Sequence, residues 1–389
     1  MLILSNDDVS ALLASLDVFQ IIDILNALAR ALGDDTILRP LRQSFKHPQA
    51  ASTTTLIMPT FASSCFSTKI VSLNTTSESK STSLKGSLLL FSPDGSLDAV
   101  LNASEFTGFR TALASMIPFV LRFFPELVSE EYNVVGDIEP IPLKTVLICG
   151  AGLQAEWAIK LLLILCAHGG LGPPRITIIN RSLDRAQALI KKVLLWYGEK
   201  ILPVTNSIPA FGSYQLYLGI PLPEFLVSGA DAIFCCTPSR DPLFSASELQ
   251  SVEALKKTRY ISAIGSYTPD MKEVHPNVLV DKVLKFSTLV DTIEGCEVES
   301  GEIIGAHKLL SQSEDPNATS EPWMREVGVL WHEAKESESL RPEIRRKMMG
   351  NVFYKSVGTG TMDLVVAKEL VRIVRDGNCG VSGVDIPSF

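Results

Sequence analysis

The sequence lacks the patterns of a metal site, of a disulfide framework and of a nucleic-acid-binding surface. Its seven cysteines include no CxxC pair, and its five histidines show neither HxH nor HExxH spacing. No structural or catalytic metal is therefore expected, and scattered cysteines in an odd number predict reduced, mostly buried thiols. The 35 basic residues are outnumbered by 43 acidic ones and form no cluster, so nucleic acid is not an expected partner.

Long apolar segments and targeting signals are also missing. The longest apolar run, Leu161 to Ala167, is too short to cross a bilayer. Asp7 and Asp8 stand where a signal peptide carries basic residues. We therefore expect no membrane partner and a cytoplasmic location.

The periodic segments that are present predict an α/β protein with two kinds of sheet. A helix capped by Asp17, four short β-rich runs and a second helix within residues 1–124 indicate an α+β module on an antiparallel sheet. After an acidic, proline-bearing linker at 129–143, apolar strands alternate with helices, which is typical of a parallel sheet covered on both faces. Three segments are interpreted as inserted loops: 169–174, 205–224 and 335–348.

Residues 145–155 carry the motif of a dinucleotide-binding turn, which is an apolar strand, then G-x-G-x-x-A, then a helix. Gly150 permits the tight turn, Gly152 leaves space where a pyrophosphate approaches the backbone, and Ala155 lets the helix pack close to the sheet. The N-terminus of that helix offers N–H groups and a positive dipole end to phosphate. The predicted cofactor-binding residues are Gly150, Ala151, Gly152, Leu153 and Gln154. An ordinary strand-to-helix turn is the alternative.

The end of the second parallel strand indicates which nucleotide binds. A carboxylate there binds the ribose hydroxyls of NAD, whereas a basic residue accommodates the 2′-phosphate of NADP. The chain has Asn180, Arg181 and Ser182 at this position, and no carboxylate. A guanidinium and a hydroxyl suit a phosphate, so we predict that these residues bind NADP(H) in preference to NAD(H). A solvated Arg181 at a helix start is the alternative.

Several stretches along the chain share their order with one known family. They are RPLR at 39–42 with Met58-Pro59, STKIV at 67–71, TGFRTA at 107–112, the turn at 150–155, CTPS at 236–239, GSYTPD at 265–270, ESGE at 299–302, and KSVG at 355–358 with Asp363. By these motifs the chain resembles the ornithine cyclodeaminase/μ-crystallin family over nearly its whole length. The resemblance implies a Rossmann-type domain over 129–350 and a discontinuous α+β substrate-binding and dimerisation domain formed by 1–128 and 351–389. It also implies a homodimer and a small amino or imino acid as substrate.

The resemblance further implies which side chains bind. Arg42, Lys69 and Arg110 would surround the carboxylate of the substrate, which agrees with the preference of buried carboxylates for cationic partners. For Lys69 and Arg110, placement at the surface is the alternative. Thr237 and Ser239 follow a parallel strand, where ligands gather beyond the carboxyl edge of the sheet. The full set of expected cofactor contacts outside the turn and the second strand is Arg110, Thr111, Thr237, Ser239, Gly265 and Gly358.

One position departs from the cyclodeaminases. They have an aspartate two residues before the proline of the 265–269 segment, where this chain has Tyr267. The departure resembles the μ-crystallin branch, which reduces cyclic ketimines. Tyr267, with Lys69, is therefore a predicted catalytic residue, because its phenol can donate a proton or a hydrogen bond. Packing over the cofactor is the alternative for Tyr267, and the nearby Asp270 and Glu273 are expected at the surface or at a helix cap.

These observations predict an NAD(P)H-dependent reductase of a small, cyclic α-imino acid. Two other functions fit the same motifs. One is an ornithine cyclodeaminase or amino-acid dehydrogenase that works through the same imine. The other is a non-catalytic protein that binds NADPH and a small carboxylate.

Overall fold

The secondary structure falls into two units, each built on its own sheet. The computed structural model describes residues 1–48, 50–74, 84–133, 141–217, 219–312 and 323–387. Unit 1 consists of Met1–Thr111 and Gly358–Phe389, and unit 2 consists of Ala112–Val357. The strands are β1 (Leu2–Leu4), β2 (Gln43–His47), β3 (Ala50–Ala62), β4 (Cys65–Asn74), β5 (Leu84–Phe91), β6 (Leu97–Asn102), β7 (Thr145–Cys149), β8 (Arg175–Asn180), β9 (Phe211–Gln215), β10 (Ala232–Cys235), β11 (Tyr260–Ala263), β12 (Ser287–Val290), β13 (Met324–Glu326), β14 (Val352–Lys355) and β15 (Val384–Asp385). The α-helices are α1 (Asn6–Ser15), α2 (Val18–Leu32), α3 (Ala103–Phe123), α4 (Glu130–Asn133), α5 (Leu153–His168), α6 (Leu183–Lys200), α7 (Leu202–Thr205), α8 (Glu224–Gly229), α9 (Asn277–Val280), α10 (Ile293–Glu299), α11 (Gly301–Ser311), α12 (Val327–Glu336), α13 (Arg341–Met349) and α14 (Gly360–Arg375).

Unit 1 is built on a mostly antiparallel sheet, as predicted. Its strands lie in the order β15-β1-β6-β5-β4-β3-β2, in which β1 and β6 are parallel and the other neighbours are antiparallel. Along β4 the buried side chains alternate with less buried ones, so Ser67, Lys69 and Val71 share the inner face. Helix α14 packs against β4 and against α2. Lys69 therefore points away from solvent, into the unit.

Helix α2 begins and ends where the sequence predicts. The carboxylate of Asp17 accepts a hydrogen bond from the Gln20 N–H at 2.8 Å, and the Gln20 side chain accepts one from the Asp17 N–H at 2.9 Å. Its apolar face is buried, and the helix ends before Gly33.

Helices α1 and α2 reach the length and hydropathy of a membrane span only when taken together, and they are bent by 109°. No single helix of the described residues reaches these values.

Unit 2 contains the predicted parallel sheet. Its strands lie in the order β13-β12-β14-β11-β10-β7-β8-β9, and every neighbouring pair is parallel. From β9 to β11 this is the order 3-2-1-4-5 of a Rossmann fold, counted from β7 as the first strand. The apolar strand predicted at the start of the 145–155 motif is β7, which spans Thr145–Cys149. The α/β class with a Rossmann-type sheet is confirmed.

Cysteine side chains contribute to the apolar cores. Six of the seven thiols are buried and none forms a disulfide, while Cys379 is half-buried. Cys149 and Cys235 lie opposite each other on β7 and β10, within the core of unit 2. Burial raises the pKa of the Cys236 thiol well above its ordinary value, which suits packing and not nucleophilic chemistry.

The units divide at positions that differ from those expected from the sequence. The sequence placed the limits after residue 128 and before residue 351, whereas the chain divides after Thr111 and before Gly358. The second half of α3 packs within unit 2, where the Tyr260 hydroxyl donates to the Ser115 carbonyl at 2.6 Å. Strand β14 lies between β11 and β12, so residues 352–355 complete the parallel sheet. Part of the predicted linker, 134–140, lies outside the described residues.

Two of the three predicted loops contain regular structure. The segment 205–224 contains β9, and 335–348 contains most of α13. The prediction was wrong there because β9 has no alternation of buried and exposed residues, and α13 buries only a narrow stripe that includes Ile344 and Met348. The third segment, 169–174, is a turn followed by irregular chain, as expected.

Candidate functional site

Three charged side chains of unit 1 form a buried cluster. Lys69, from β4, places its Nζ 2.9 Å from Oδ1 and 2.8 Å from Oδ2 of Asp363 on α14. Arg110, from α3, places its Nε 2.9 Å from Asp363 Oδ1, an ionic contact without the alignment of a hydrogen bond. None of the three is more than 4% exposed. The structure therefore brings together two of the predicted carboxylate-binding residues and adds an acidic partner.

This cluster carries more positive than negative charge. Lys69 and Arg110 supply two cations against the single carboxylate of Asp363, and the half-buried Arg42 is close enough to act on Lys69 electrostatically. Burial first, and then the charge of Arg110, lower the pKa of Lys69 from 10.5 to about 7, while Asp363 opposes the change. A bound anion would offset the excess charge and return the pKa of Lys69 towards its ordinary value.

The guanidinium of Arg110 lies against the backbone at Gly358. Gly358 has a φ of +85°, and a Cβ at this position would stand 2.7 Å from the Arg110 Nη1. The same Nη1 donates to the sulfur of Met362 at 3.2 Å. Thr111, the next residue of α3, is buried beside Arg110 along the helix. Within unit 1, the positive φ of Gly358 thus favours glycine, and its contact with a cofactor stays a prediction.

The glycine turn of unit 2 has the geometry that a phosphate-binding turn needs. Gly150 has a φ of +114° and donates its N–H to the Ile179 carbonyl at 2.7 Å. A Cβ on Gly150 would lie 2.8 Å from the Cys236 carbonyl oxygen, so only glycine fits. Gly152 precedes α5 without a side-chain cap, and a Cβ there would meet no atom within 4 Å. The N-terminus of α5 therefore stays open to a ligand, with Ala151, Leu153 and Gln154 around it.

Some of the residues after β8 stabilise the turn through hydrogen bonds, whereas one is exposed and can contact a ligand. The Asn180 side chain donates to the Ser182 carbonyl at 2.9 Å, and the Ser182 Oγ accepts from the Arg185 N–H at 3.3 Å, which caps α6. Ser182 therefore has a structural role, although its hydroxyl proton is left to donate. Arg181 is exposed at the tip of this turn. A guanidinium in this position is available to an anionic group.

Two loops at the carboxyl edge of the parallel sheet touch each other. Thr237 follows β10 and Gly265 follows β11, and a Cβ on Gly265 would lie 2.2 Å from the Thr237 nitrogen. Glycine is the only residue that permits this approach. Ser239 is engaged within its own turn, because its hydroxyl donates to the Asp241 carbonyl at 2.6 Å. Tyr267 is half-buried two residues beyond Gly265.

Glu273 lies in a place that the sequence did not indicate. It was expected at the surface or at a helix cap, but it is fully buried and accepts hydrogen bonds from Thr237 and Gly265. Asp270 is exposed and pairs with Arg240 at 3.0 Å, as expected. The two carboxylates lie three residues apart in a polar stretch, and no local periodicity separates them. Only the convergence of N–H groups from two distant loops explains why Glu273 turns inwards.

Comparisons with known proteins identify proteins of similar sequence and similar fold. No family model matches the chain. An uncharacterized protein of Saccharomyces cerevisiae is 29% identical over 298 residues, which cover 72% of this chain and 71% of that protein. The structure of Thermococcus litoralis Δ1-pyrroline-2-carboxylate reductase with NADH and L-proline matches with a TM-score of 0.70 and 19% identity, over 99% of this chain and 100% of that one. A probable ornithine cyclodeaminase from Bordetella pertussis Tohama I matches with a TM-score of 0.66 and 18% identity, over 99% and 100% of the two chains.

Fold and site together define a two-unit α/β protein with a Rossmann-type parallel sheet and a mostly antiparallel unit that holds a buried cationic cluster. More narrowly, the chain has the fold of the ornithine cyclodeaminase/μ-crystallin family over its full length. The resemblance found in the sequence motifs is confirmed.

Proposed function

We propose that this protein is an NAD(P)H-dependent imine reductase that acts on a small, cyclic α-imino acid. The observation that carries the proposal is the buried cluster of Lys69, Asp363 and Arg110, with two cations and one carboxylate. Unbalanced charge is costly to bury unless a partner joins it. The carboxylate of an α-imino acid is a suitable partner, because lysine and arginine offer it charge-assisted hydrogen bonds.

The residues of the cluster also fit the proton requirement of the reaction. Reduction of an imine places a hydride on carbon and a proton on nitrogen, and bound NAD(P)H supplies the hydride. Burial lowers the pKa of Lys69 in the free protein, and a bound substrate carboxylate would favour its ammonium form, which can pass a proton to the imine nitrogen. Protonation makes the imine carbon a better hydride acceptor. Tyr267 is the second candidate proton donor, through its phenol.

The relatives support a cyclic substrate. The Thermococcus litoralis enzyme is named for Δ1-pyrroline-2-carboxylate, and its structure holds NADH and L-proline. A cyclic α-imino acid of this kind joins the carboxylate to the carbon of the C=N bond, so one cationic cluster can orient the reacting atoms. Tyr267, in place of the cyclodeaminase aspartate, favours reduction over the cyclisation of ornithine.

The proposal is tested by the oxidation of NADPH and NADH in the presence of purified full-length protein. The panel contains cyclic α-imino acids, linear α-keto acids with amines, and ornithine. We expect oxidation of reduced nicotinamide with the cyclic imino acids. Release of ammonia from ornithine would support a cyclodeaminase instead, and tight binding of NADPH and a carboxylate without any oxidation would support a non-catalytic binding protein. Either of these results contradicts the proposal.

We propose further that NADP(H) is the preferred cofactor, through Arg181 and Ser182. The exposed guanidinium of Arg181 would pair with the 2′-phosphate, which NADH lacks. The change Arg181→Ala is expected to weaken NADPH binding about tenfold and to leave NADH binding unchanged. Lys191→Ala, which removes another exposed cation from α6, is the matched control. Equal losses for the two nucleotides, or no loss for NADPH, would contradict the assignment.

The same family resemblance leads us to propose a homodimer formed through unit 1. Apolar side chains of this unit are exposed in the single chain, among them Leu41 at 49%, Phe45 at 51% and Phe61 at 41%. Exposed apolar groups on and beside an edge strand favour association with a second chain. Sedimentation of the purified protein as a monomer would contradict this proposal.

A further inference from the structure

Four hydrogen bonds converge on the carboxylate of Glu273. Its Oε1 accepts from the N–H of Thr237 at 2.5 Å and from the Thr237 hydroxyl at 2.9 Å. Its Oε2 accepts from the N–H of Gly265 at 2.7 Å and from that of Ser266 at 3.3 Å. One oxygen thus holds the loop after β10, and the other holds the loop after β11.

Glu273 is itself held by a second buried carboxylate. Glu302, on α11, accepts with Oε1 from the Glu273 N–H at 2.7 Å and from the Ser266 hydroxyl at 2.8 Å. Lys355, at the end of β14, donates from Nζ to the Ser266 carbonyl at 2.8 Å and lies 3.5 Å from Glu302 Oε2. All of these side chains are fully buried. Two carboxylates and one ammonium therefore form a connected network under the edge of the sheet.

The four donors around Glu273 require that both oxygens of its side chain act as acceptors. A glutamine has the same shape, but its amide nitrogen is a donor and would face another N–H group. A buried donor that loses its acceptor carries the full cost of desolvation. Burial raises the pKa of Glu273 from 4.5 to about 7, with Lys355 lowering it and Glu302 raising it. Keeping Glu273 in its carboxylate form therefore costs free energy. The hydrogen bonds to the two loops offset this cost, so the role of Glu273 lies in holding these loops.

We propose that Glu273 is a positioning residue that holds the two loops at Thr237 and Gly265 in the arrangement that binds the dinucleotide. This inference rests on the proposed function, in which unit 2 binds NAD(P)H. The carboxyl edge of a parallel sheet is where such folds bind their ligands, and the two loops occupy that edge beside the glycine turn at Gly150. Contact between Gly150 and the Cys236 carbonyl means that a shift of the first loop also disturbs the phosphate-binding turn.

A dependence of nucleotide binding on pH follows from this arrangement. Protonation of Glu273 turns one acceptor oxygen into a hydroxyl donor and opposes one of the four hydrogen bonds. Affinity is therefore expected to fall, by at most about tenfold per pH unit, as the pH drops below about 7. The titratable and charged groups that face Glu273 are Lys355, Glu302, Cys235 and Cys236. The two thiols have raised pKa values and stay neutral in this range.

The test measures the Kd of NADH for the full-length protein, by nucleotide fluorescence, from pH 6 to pH 8.5. NADH is used because the 2′-phosphate of NADPH titrates near pH 6 itself. We expect the wild-type Kd to rise as the pH falls below about 7. Glu273→Gln should raise the Kd about tenfold or more at pH 8 and remove most of the pH dependence. Asp270→Asn, an exposed change in the same segment, should leave both unchanged.

The outcomes distinguish a failure of the proposed function from a failure of the positioning role. If wild-type protein binds neither NADH nor NADPH, the proposed function fails. If it binds NADH with no dependence on pH between 6 and 8.5, Glu273 does not titrate in this range and the expected pH dependence is wrong, and the Kd of Glu273→Gln then decides the positioning role. If Glu273→Gln folds and binds NADH within twofold of wild type, the positioning role is also wrong, while the proposed function stands.

Discussion

Replacing Lys69 by methionine should inactivate the protein without unfolding it. The change Lys69→Met keeps an unbranched, apolar side chain of similar length and removes the charge. Arg110 remains beside Asp363, so the carboxylate keeps a cationic partner and the excess positive charge disappears. The site then loses its attraction for a carboxylate, while unit 1 loses a costly buried cation.

The magnitude follows from the pKa of Lys69. A change from 10.5 to about 7 is a factor of about 3,000 in proton affinity, which at about 1.4 kcal/mol per tenfold is roughly 5 kcal/mol. This is the net cost of the charged lysine in the folded state, with its contact to Asp363 already included. Removal of one partner from a buried ion pair typically costs about 3–5 kcal/mol, because the other charge stays buried. Arg110 stays 2.9 Å from Asp363 and reduces that cost, so we expect the free energy of unfolding of Lys69→Met to stay within about 2 kcal/mol of wild type at pH 7.

The direction of the pKa change determines how the contribution of Lys69 to stability varies with pH. The folded-state pKa of Lys69 lies below its unfolded value, so the unfolded chain binds one more proton between about pH 7 and pH 10.5. Stability due to this group is present above pH 10.5 and is lost as the pH falls through about 7. The stability of Lys69→Met relative to wild type should accordingly be greatest below pH 7 and fall as the pH rises.

Denaturant unfolding at several pH values measures the free energy of unfolding, and the imino-acid assay measures the activity. Lys368→Met, an exposed change on α14, is the control and should alter neither stability nor activity appreciably. A loss of more than about 2 kcal/mol in Lys69→Met would mean that the pair with Asp363 is a net stabiliser. Retention of imino-acid reduction by Lys69→Met would remove Lys69 from the substrate site.

Two further substitutions test the loops of unit 2. Gly265→Ala should abolish nucleotide binding or unfold unit 2, because its Cβ would stand 2.2 Å from the Thr237 nitrogen, whereas Gly229→Ala, where a Cβ meets nothing within 4 Å, should be tolerated. Normal NADH affinity in Gly265→Ala would refute the fixed contact between the loops. Tyr267→Phe should lower kcat about 100-fold, with little change in the Kd of NADH, if its phenol donates the proton. An unchanged kcat would leave Tyr267 with a packing role only.

Much of unit 2 could be predicted because its signals are local. Strand β7 is a continuous apolar run, and the bend at Gly150 follows directly from the residues that surround it. Strand β9 could not be recognised from the sequence. An edge strand such as FGSYQ needs no regular alternation of buried and exposed residues, because its neighbour β8 supplies the hydrogen-bond partners. Tertiary pairing decided the structure there, and not local preference.

The candidate site was predictable in part for the same reason. Lys69 is conspicuous as a lysine in an apolar and hydroxylated β run, and the structure confirms that it is buried. Its partner Asp363 lies 294 residues later, and no spacing rule connects the two. Glu273 was assigned to the surface or a cap because its polar surroundings in the sequence are typical of exposed chain. Buried polar networks are defined by their partners in space, which a single sequence does not display.

Strand β14 and helix α14 come late in the sequence and complete the two units, which affects how the protein forms during synthesis. Until β14 has emerged from the ribosome, β11 and β12 have no strand between them, and until α14 follows, Lys69 and Arg110 lack the one acidic partner that they have among the described residues. Nascent chains of this protein must therefore carry open strand edges and uncompensated internal cations through most of translation. Such intermediates are prone to mispairing until β14 and α14 form their contacts.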